Sequence, residues 1–195
     1  MPARTTSRRG FLVEAMAGVG AAWFAANYAA VIDAGAFAGN AQQTGTPFRF
    51  EFFTPEQAAD VEAITAQIIP TDDTPGAREA NVVVFIDRAL ATFEKHEQAS
   101  YTRGLAEVQA EAQKQFPGTA RFAALTPEQQ VKVLTAIERT PFFNLLRTHT
   151  ISGFLAHPIH GGNAGNVGWQ LVHYDHSLKH TPPFGYYDAQ ALPRR

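Results

Sequence analysis

A chain of 195 residues with no cysteine and a formal net charge of −2 has the size of one domain, able to bury roughly 70% of its unfolded surface without covalent staples. The missing cysteines exclude disulfide bracing, covalent c-type haem attachment and thiolate-held iron–sulfur clusters. A charge so close to neutral also argues against nucleic acid or an acidic membrane surface as partner.

The most informative stretch comes first. Ser7-Arg8-Arg9-Gly10-Phe11-Leu12 places paired arginines and Phe-Leu ahead of an Ala/Gly-rich apolar run, and no acid precedes them. That is the pattern of a twin-arginine export signal. From Ala15 to Ile32 no residue is charged, but the content is mostly Ala and Gly with Asn27 in the middle. A membrane-spanning helix needs about 20 strongly apolar residues, so this run is too weak to be one. Ala34-Gly35-Ala36 and Ala36-Phe37-Ala38 would each suit a signal peptidase. Residues 1–38 are therefore read as a signal for the twin-arginine translocon, with the periplasm as destination. A buried N-terminal helix and an uncleaved anchor are the alternatives. Gly18-Val19-Gly20 hints at a dinucleotide fingerprint, but Trp23 stands where the third glycine belongs and no strand precedes it.

Residues 39–47 are small and polar and read as a linker; 48–195 form the single domain. Phe48-Arg49-Phe50-Glu51-Phe52 alternates with period two, which suits a short extended segment laying phenylalanines on a surface, too isolated to imply a sheet. Thr54-Pro55-Glu56-Gln57 opens a first helix, with a capping Thr, Pro at the first helical position and Gln placed to reach back. Val61, Ile64 and Ile68 follow at helical spacing, and Pro70 ends the element. A second helix is expected from about Glu79 to Lys95. A third, from about Gln98 to Gln115, carries Tyr101, Leu105, Val108 and Ala112 in a stripe and stops at Phe116-Pro117-Gly118. Thr-Pro-Glu-Gln recurs at 126–129 to start a fourth, and Thr140-Pro141 starts a fifth that runs on to Phe154. The class is all-α, with about five helices. Beyond residue 156 the helical pattern stops and does not return, leaving an irregular tail from about 157, and tails of that length usually carry function or a binding surface.

Six of the seven histidines fall between His149 and His180. His157-Pro158-Ile159-His160 and His173-Tyr174-Asp175-His176 share the H-x-x-H spacing, and Asp175 or Asp188 could complete a metal site. Against this, neither pair lies on a helical pattern, and HExxH is absent. Loop histidines often serve backbone hydrogen bonds and stacking instead. The run Gly161-Gly162-Asn163-Ala164-Gly165-Asn166-Val167-Gly168 could cradle a phosphate, but it lacks the Lys-Ser/Thr of a P-loop, and a tight loop with positive φ is the plainer reading. Asp72-Asp73 could be an acid/base pair, yet Ile69-Pro70-Thr71-Asp72-Asp73-Thr74-Pro75-Gly76 reads as a turn whose side chains cap backbone N–H groups. Ser100, Ser152 and Ser177 sit in no nucleophile-elbow context. No residue is assigned as catalytic.

In order and spacing, these pieces resemble the gluconate 2-dehydrogenase subunit 3 family. The likeness rests on the Arg8-Arg9 signal, Phe53-Thr54-Pro55-Glu56, Ile68-Ile69-Pro70-Thr71-Asp72 with Thr74-Pro75-Gly76-Ala77, and Phe85-Ile86-Asp87. It continues through Gly153-Phe154, His157-Pro158, Gly161-Gly162-Asn163 and Gly168-Trp169, and covers about residues 7–175. His160 departs from the pattern, which would have an aromatic there, and the stretch from Asp175 to Arg195 is particular to this chain. The resemblance implies a small subunit without a cofactor of its own. FAD would sit in a large glucose–methanol–choline-type dehydrogenase subunit, and haem c in a multi-haem cytochrome c subunit where one takes part. The small subunit would carry the export signal for the complex. The expected partner-contact residues are His157, Pro158, Gly161, Gly162, Asn163, Trp169, Tyr174, Phe184, Tyr186 and Tyr187, since buried aromatic anchors concentrate interface energy. The rival reading is a self-sufficient exported metalloenzyme using the histidine-rich tail; a weaker third is a periplasmic binding protein.

Overall fold

The computed structural model describes residues 49–177, which fold as an all-α domain. The export-signal residues Ser7, Arg8, Arg9, Phe11 and Leu12, the linker 39–47, Phe48, and the tail residues Phe184, Tyr186 and Tyr187 lie outside them. The elements are α1 (Pro55–Ile68), α2 (Val82–Ala91), α3 (Gln98–Gln115), α4 (Pro127–Ile137), α5 (Pro141–Leu155) and a short α6 (Val167–Leu171). No helix among the described residues is long and apolar enough to cross a membrane.

The helix starts follow the sequence rules. Thr54 and Thr126 each accept a hydrogen bond from the N–H three residues on, and Gln57 and Gln129 return one to the cap, so both capping boxes close. Thr140 accepts likewise from the Phe143 N–H. Val61, Ile64, Val82, Ile86, Leu90, Tyr101, Val108, Phe122, Val133, Leu146 and Phe154 form the fully enclosed centre. Around it α2 packs on α5, α3 on α4, and α1 touches α2, α4 and α5.

Two boundaries differ from the sequence expectation. Helix α2 spans Val82–Ala91, not 79–95. Residues ahead of it form a turn in which the Glu79 carboxylate accepts from the Gly76 N–H and the Thr71 hydroxyl, and Asn81 takes a left-handed φ of 52°. Behind it Thr92 leaves helical geometry, and a 3-10 turn at Lys95–Glu97 leads into α3. Helical structure also returns after residue 156, contrary to expectation: 3-10 turns at Pro158–His160 and Ala164–Asn166 precede α6. Five residues are too few to display a 3.6-residue period.

Residues 49–53 are an irregular strap, not a strand. Phe53 is buried, and Phe50 and Phe52 pack partly buried against the core. The fully buried Asp87 of α2 receives the N–H groups of Glu51, Phe52 and Phe53 at 2.9, 3.0 and 3.0 Å. Its neighbour Arg88 pairs with Glu51 at 2.8 Å and donates to the Arg49 carbonyl. A buried carboxylate is tolerable because charge-assisted N–H donors replace its water.

Candidate functional site

The loop from His157 into α6 is built by backbone economy around one amide side chain. Asn163 is fully buried at φ 47°. Its Nδ2 donates to the Ala156 carbonyl at 2.9 Å, and its Oδ1 accepts the Gly168 N–H at 2.8 Å. One side chain thus joins the end of α5 to the start of α6. The loop is tied to the turn before α2 by Ala164 N–H donating to the Ala80 carbonyl at 3.1 Å. Gly161 has φ +92° and lies against Val84, a conformation glycine adopts without strain. At Gly168 a Cβ would fall 1.9 Å from the Phe154 carbonyl oxygen, so α6 can rest on the last turn of α5 only with glycine there.

The amides of Gly161, Ala164, Asn166 and Gly168 already donate to Pro158, Ala80 and Asn163 within the protein. A cradle needs amides free to point at an anion. Likewise Asp72 Oδ1 accepts from both the N–H and the hydroxyl of Thr74, making the turn that the sequence suggested.

The expected contact residues divide into two sets. Gly161, Gly162 and Asn163 are buried and shape the loop from within. His157 and Tyr174 are exposed, Pro158 and Trp169 part-buried, and they are joined by exposed His176 and Ile159. Trp169 is the hub. Its indole N–H donates to the Leu155 carbonyl at 2.8 Å, and its ring stacks on His176 with centroids 4.9 Å apart. Tyr174 and His157 meet it edge-on at 5.2 and 5.4 Å. His157 also lies 4.9 Å from His176 and 6.4 Å from His160, so His176 of the second H-x-x-H pair reaches the first.

Convergence is not coordination. Among the described residues no group of three or more His, Cys, Asp or Glu is arranged to hold a metal ion. Burial pushes both His157 and His160 below the ordinary imidazole value, with repulsion from His176 adding at His157 and from His157 at His160. His157 Nδ1 accepts the Ile159 N–H at 3.2 Å, and His160 Nδ1 is buried without a hydrogen-bond partner. His180 and Asp188 lie outside the described residues.

Sequence reasoning missed two buried polar devices. One is the Asp87 clamp. The other joins α3 to α5: the Tyr101 hydroxyl lies 2.8 Å from His149 Nδ1, and the rings stack 5.6 Å apart. Burial drives His149 down to about 4, so it stays neutral and shares one hydrogen bond with the Tyr101 hydroxyl. The signal was present, since Phe142, Leu146, His149 and Gly153 recur on one helical face.

The model of a family described as gluconate 2-dehydrogenase subunit 3 matches residues 55–175. No curated protein and no solved structure matches the chain.

Proposed function

The chain belongs to the gluconate 2-dehydrogenase subunit 3 family, a family of dehydrogenase-complex subunits, and from that premise we propose that it is the non-catalytic small subunit of a periplasmic, membrane-associated, FAD-dependent sugar or polyol dehydrogenase. It binds the folded glucose–methanol–choline-type flavoprotein in the cytoplasm, escorts it through the twin-arginine translocon and stabilises it afterwards. FAD belongs to that large subunit, and haem c to a cytochrome c subunit where one is present.

The observation that carries this reading is the outward face built from His157, Ile159, Trp169, Tyr174 and His176. Its rings are displayed on a loop whose backbone is fastened from inside by Asn163. Rigid aromatic side chains on a preorganised loop lose little entropy on docking and bury a large area. Tyr174 is 52% and Ile159 41% exposed, so apolar surface stands ready to be covered.

The test is affinity purification of the chain, tagged at its C-terminus, from native periplasm and membranes. Co-purification of a larger chain in near one-to-one amount, with a flavin absorbance spectrum and sugar-dependent dye reduction, is the expected result. A lone chain carrying stoichiometric zinc or copper would instead support the metalloenzyme.

A further inference from the structure

Two imidazoles, His157 and His176, pack on the Trp169 ring on the docking face, and a third, His160, stands beside His157. His157 and His176 stand 4.9 Å apart, both against Trp169. Because His157 Nδ1 accepts the Ile159 N–H, its single proton sits on Nε2. A second proton would have to enter at Nδ1 and displace that hydrogen bond. His160 presents a buried Nδ1 with no partner, so a charged ring there would hold an unsatisfied N–H. Among the described residues the surroundings offer no relief. The turn 158–160 contributes only His160 as a titratable group, α2 contributes Val84 through Gly161, and α5 contributes the Leu155 carbonyl, already bound to Trp169. His173 and Asp175 flank His176 on its own segment and are exposed. No carboxylate among the described residues forms an ion pair with His157, His160 or His176. An indole face accommodates one charged imidazole, but two charges at this spacing repel.

We infer that the His157–His176 pair against Trp169, with His160 beside His157, is a proton-operated latch on the docking face. With His157 neutral, segment 173–177 stays against α6 and presents the face; proton uptake at His157 separates His176 from Trp169 and weakens the grip on the partner subunit. The lowered values at His157 and His160 set the direction: the latch is closed above the ordinary imidazole range and opens as pH falls below it. Docking removes more water from these rings, so it too favours the neutral state. The effect on the partner rests on reading this face as the contact surface for the flavoprotein.

The experiment uses the full chain with Trp23→Phe, which leaves Trp169 as its sole tryptophan. Its emission is followed from pH 8 to 5, together with amide exchange of Tyr174, whose N–H donates to the Trp169 carbonyl at 2.8 Å. The latch gives a reversible emission change centred below pH 6.5, faster Tyr174 exchange after correction for intrinsic pH dependence, and loss of both transitions in His157→Gln. Affinity for the purified flavoprotein should fall tenfold or more between pH 7.5 and 5 in the parent, and far less in His157→Gln. An emission change without faster exchange means quenching in place and overturns the opening. Normal transitions with pH-independent or acid-strengthened affinity overturn the control of docking. Failure to bind at pH 7.5 defeats the docking reading, and the emission and exchange titrations then decide the latch alone.

Discussion

Replacing Asn163 by alanine separates a residue that builds the loop from one that touches a partner. The substitution deletes two hydrogen bonds, to the Ala156 carbonyl and from the Gly168 N–H, and leaves both backbone groups in a buried place. Each orphaned buried group costs about 1–3 kcal/mol. Alanine at φ 47° adds about 1 kcal/mol of left-handed strain, which asparagine tolerates better. Water entering the vacated space recovers part of this, so the net expectation is a loss of about 3 kcal/mol. For a domain of this size that lowers Tm by roughly 10 °C. The measurement is thermal or urea unfolding by circular dichroism, with Asn163→Gly beside it. Glycine keeps the left-handed backbone and should be the milder change by about 1 kcal/mol. A Tm within 2 °C of the parent would refute the reasoning. So would an unchanged Tm with lost affinity for the flavoprotein, because Asn163 would then be a contact residue.

Trp169→Ala should weaken assembly with the flavoprotein by 2 kcal/mol or more, whereas the exposed Lys132→Ala should stay within about 0.5 kcal/mol; equal losses in a binding titration would discredit the map of the face. Changing Arg8 and Arg9 to Lys should strand both subunits in the cytoplasm, and fractionation that finds the flavoprotein exported normally would count against the escort role. His149 is held to about 4 when folded and takes its ordinary value when unfolded, so the unfolded chain binds more protons as pH falls. Its contribution is therefore complete above about pH 6.5 and lost progressively towards pH 4, by roughly 3 kcal/mol in all. A His149→Gln variant should show a flatter decline in urea unfolding across that window. Asp87→Asn removes an acceptor from the strap and should cost about 2 kcal/mol, with faster proteolysis near residues 49–53; unchanged proteolysis would mean that the strap is held by its phenylalanines and by Arg88.

Much of the scaffold was legible because its signals are local. Thr54 and Thr126 announce helices through chemistry confined to four residues, and the stripe Tyr101, Leu105, Val108, Ala112 announces a buried face through its period. The ends of α2 were not legible. The helical spacing of Phe85, Ile86, Leu90 and Phe93 runs past the end of α2, and what sets its start is Glu79 capping a turn and Asn81 at positive φ, a choice made between neighbours in space. The same holds for α6, which exists because the Asn163 side chain takes the Gly168 N–H. Of the candidate site, the residue types were readable and their division was not. His157, Trp169 and Tyr174 point outward while Gly161, Gly162 and Asn163 turn inward, and nothing in a Gly-Gly-Asn triplet tells which side of a loop it serves. Asp87 escaped because a carboxylate inside an apolar helix pattern signals burial only once the strap that feeds it three N–H groups is known.

That strap has a mechanical meaning. Tension applied to the chain ahead of Arg49 meets the Arg49 carbonyl held by Arg88 and then residues 51–53, where three N–H bonds converge on one carboxylate of α2. Bonds that share an acceptor are loaded together and yield together, unlike a ladder that opens rung by rung. Force would therefore not be dissipated by gradual fraying. It would pass through Asp87 into α2, which lies against α1 and α5, so the helical core would bear a pull on the N-terminal side almost as one body until the clamp gave way.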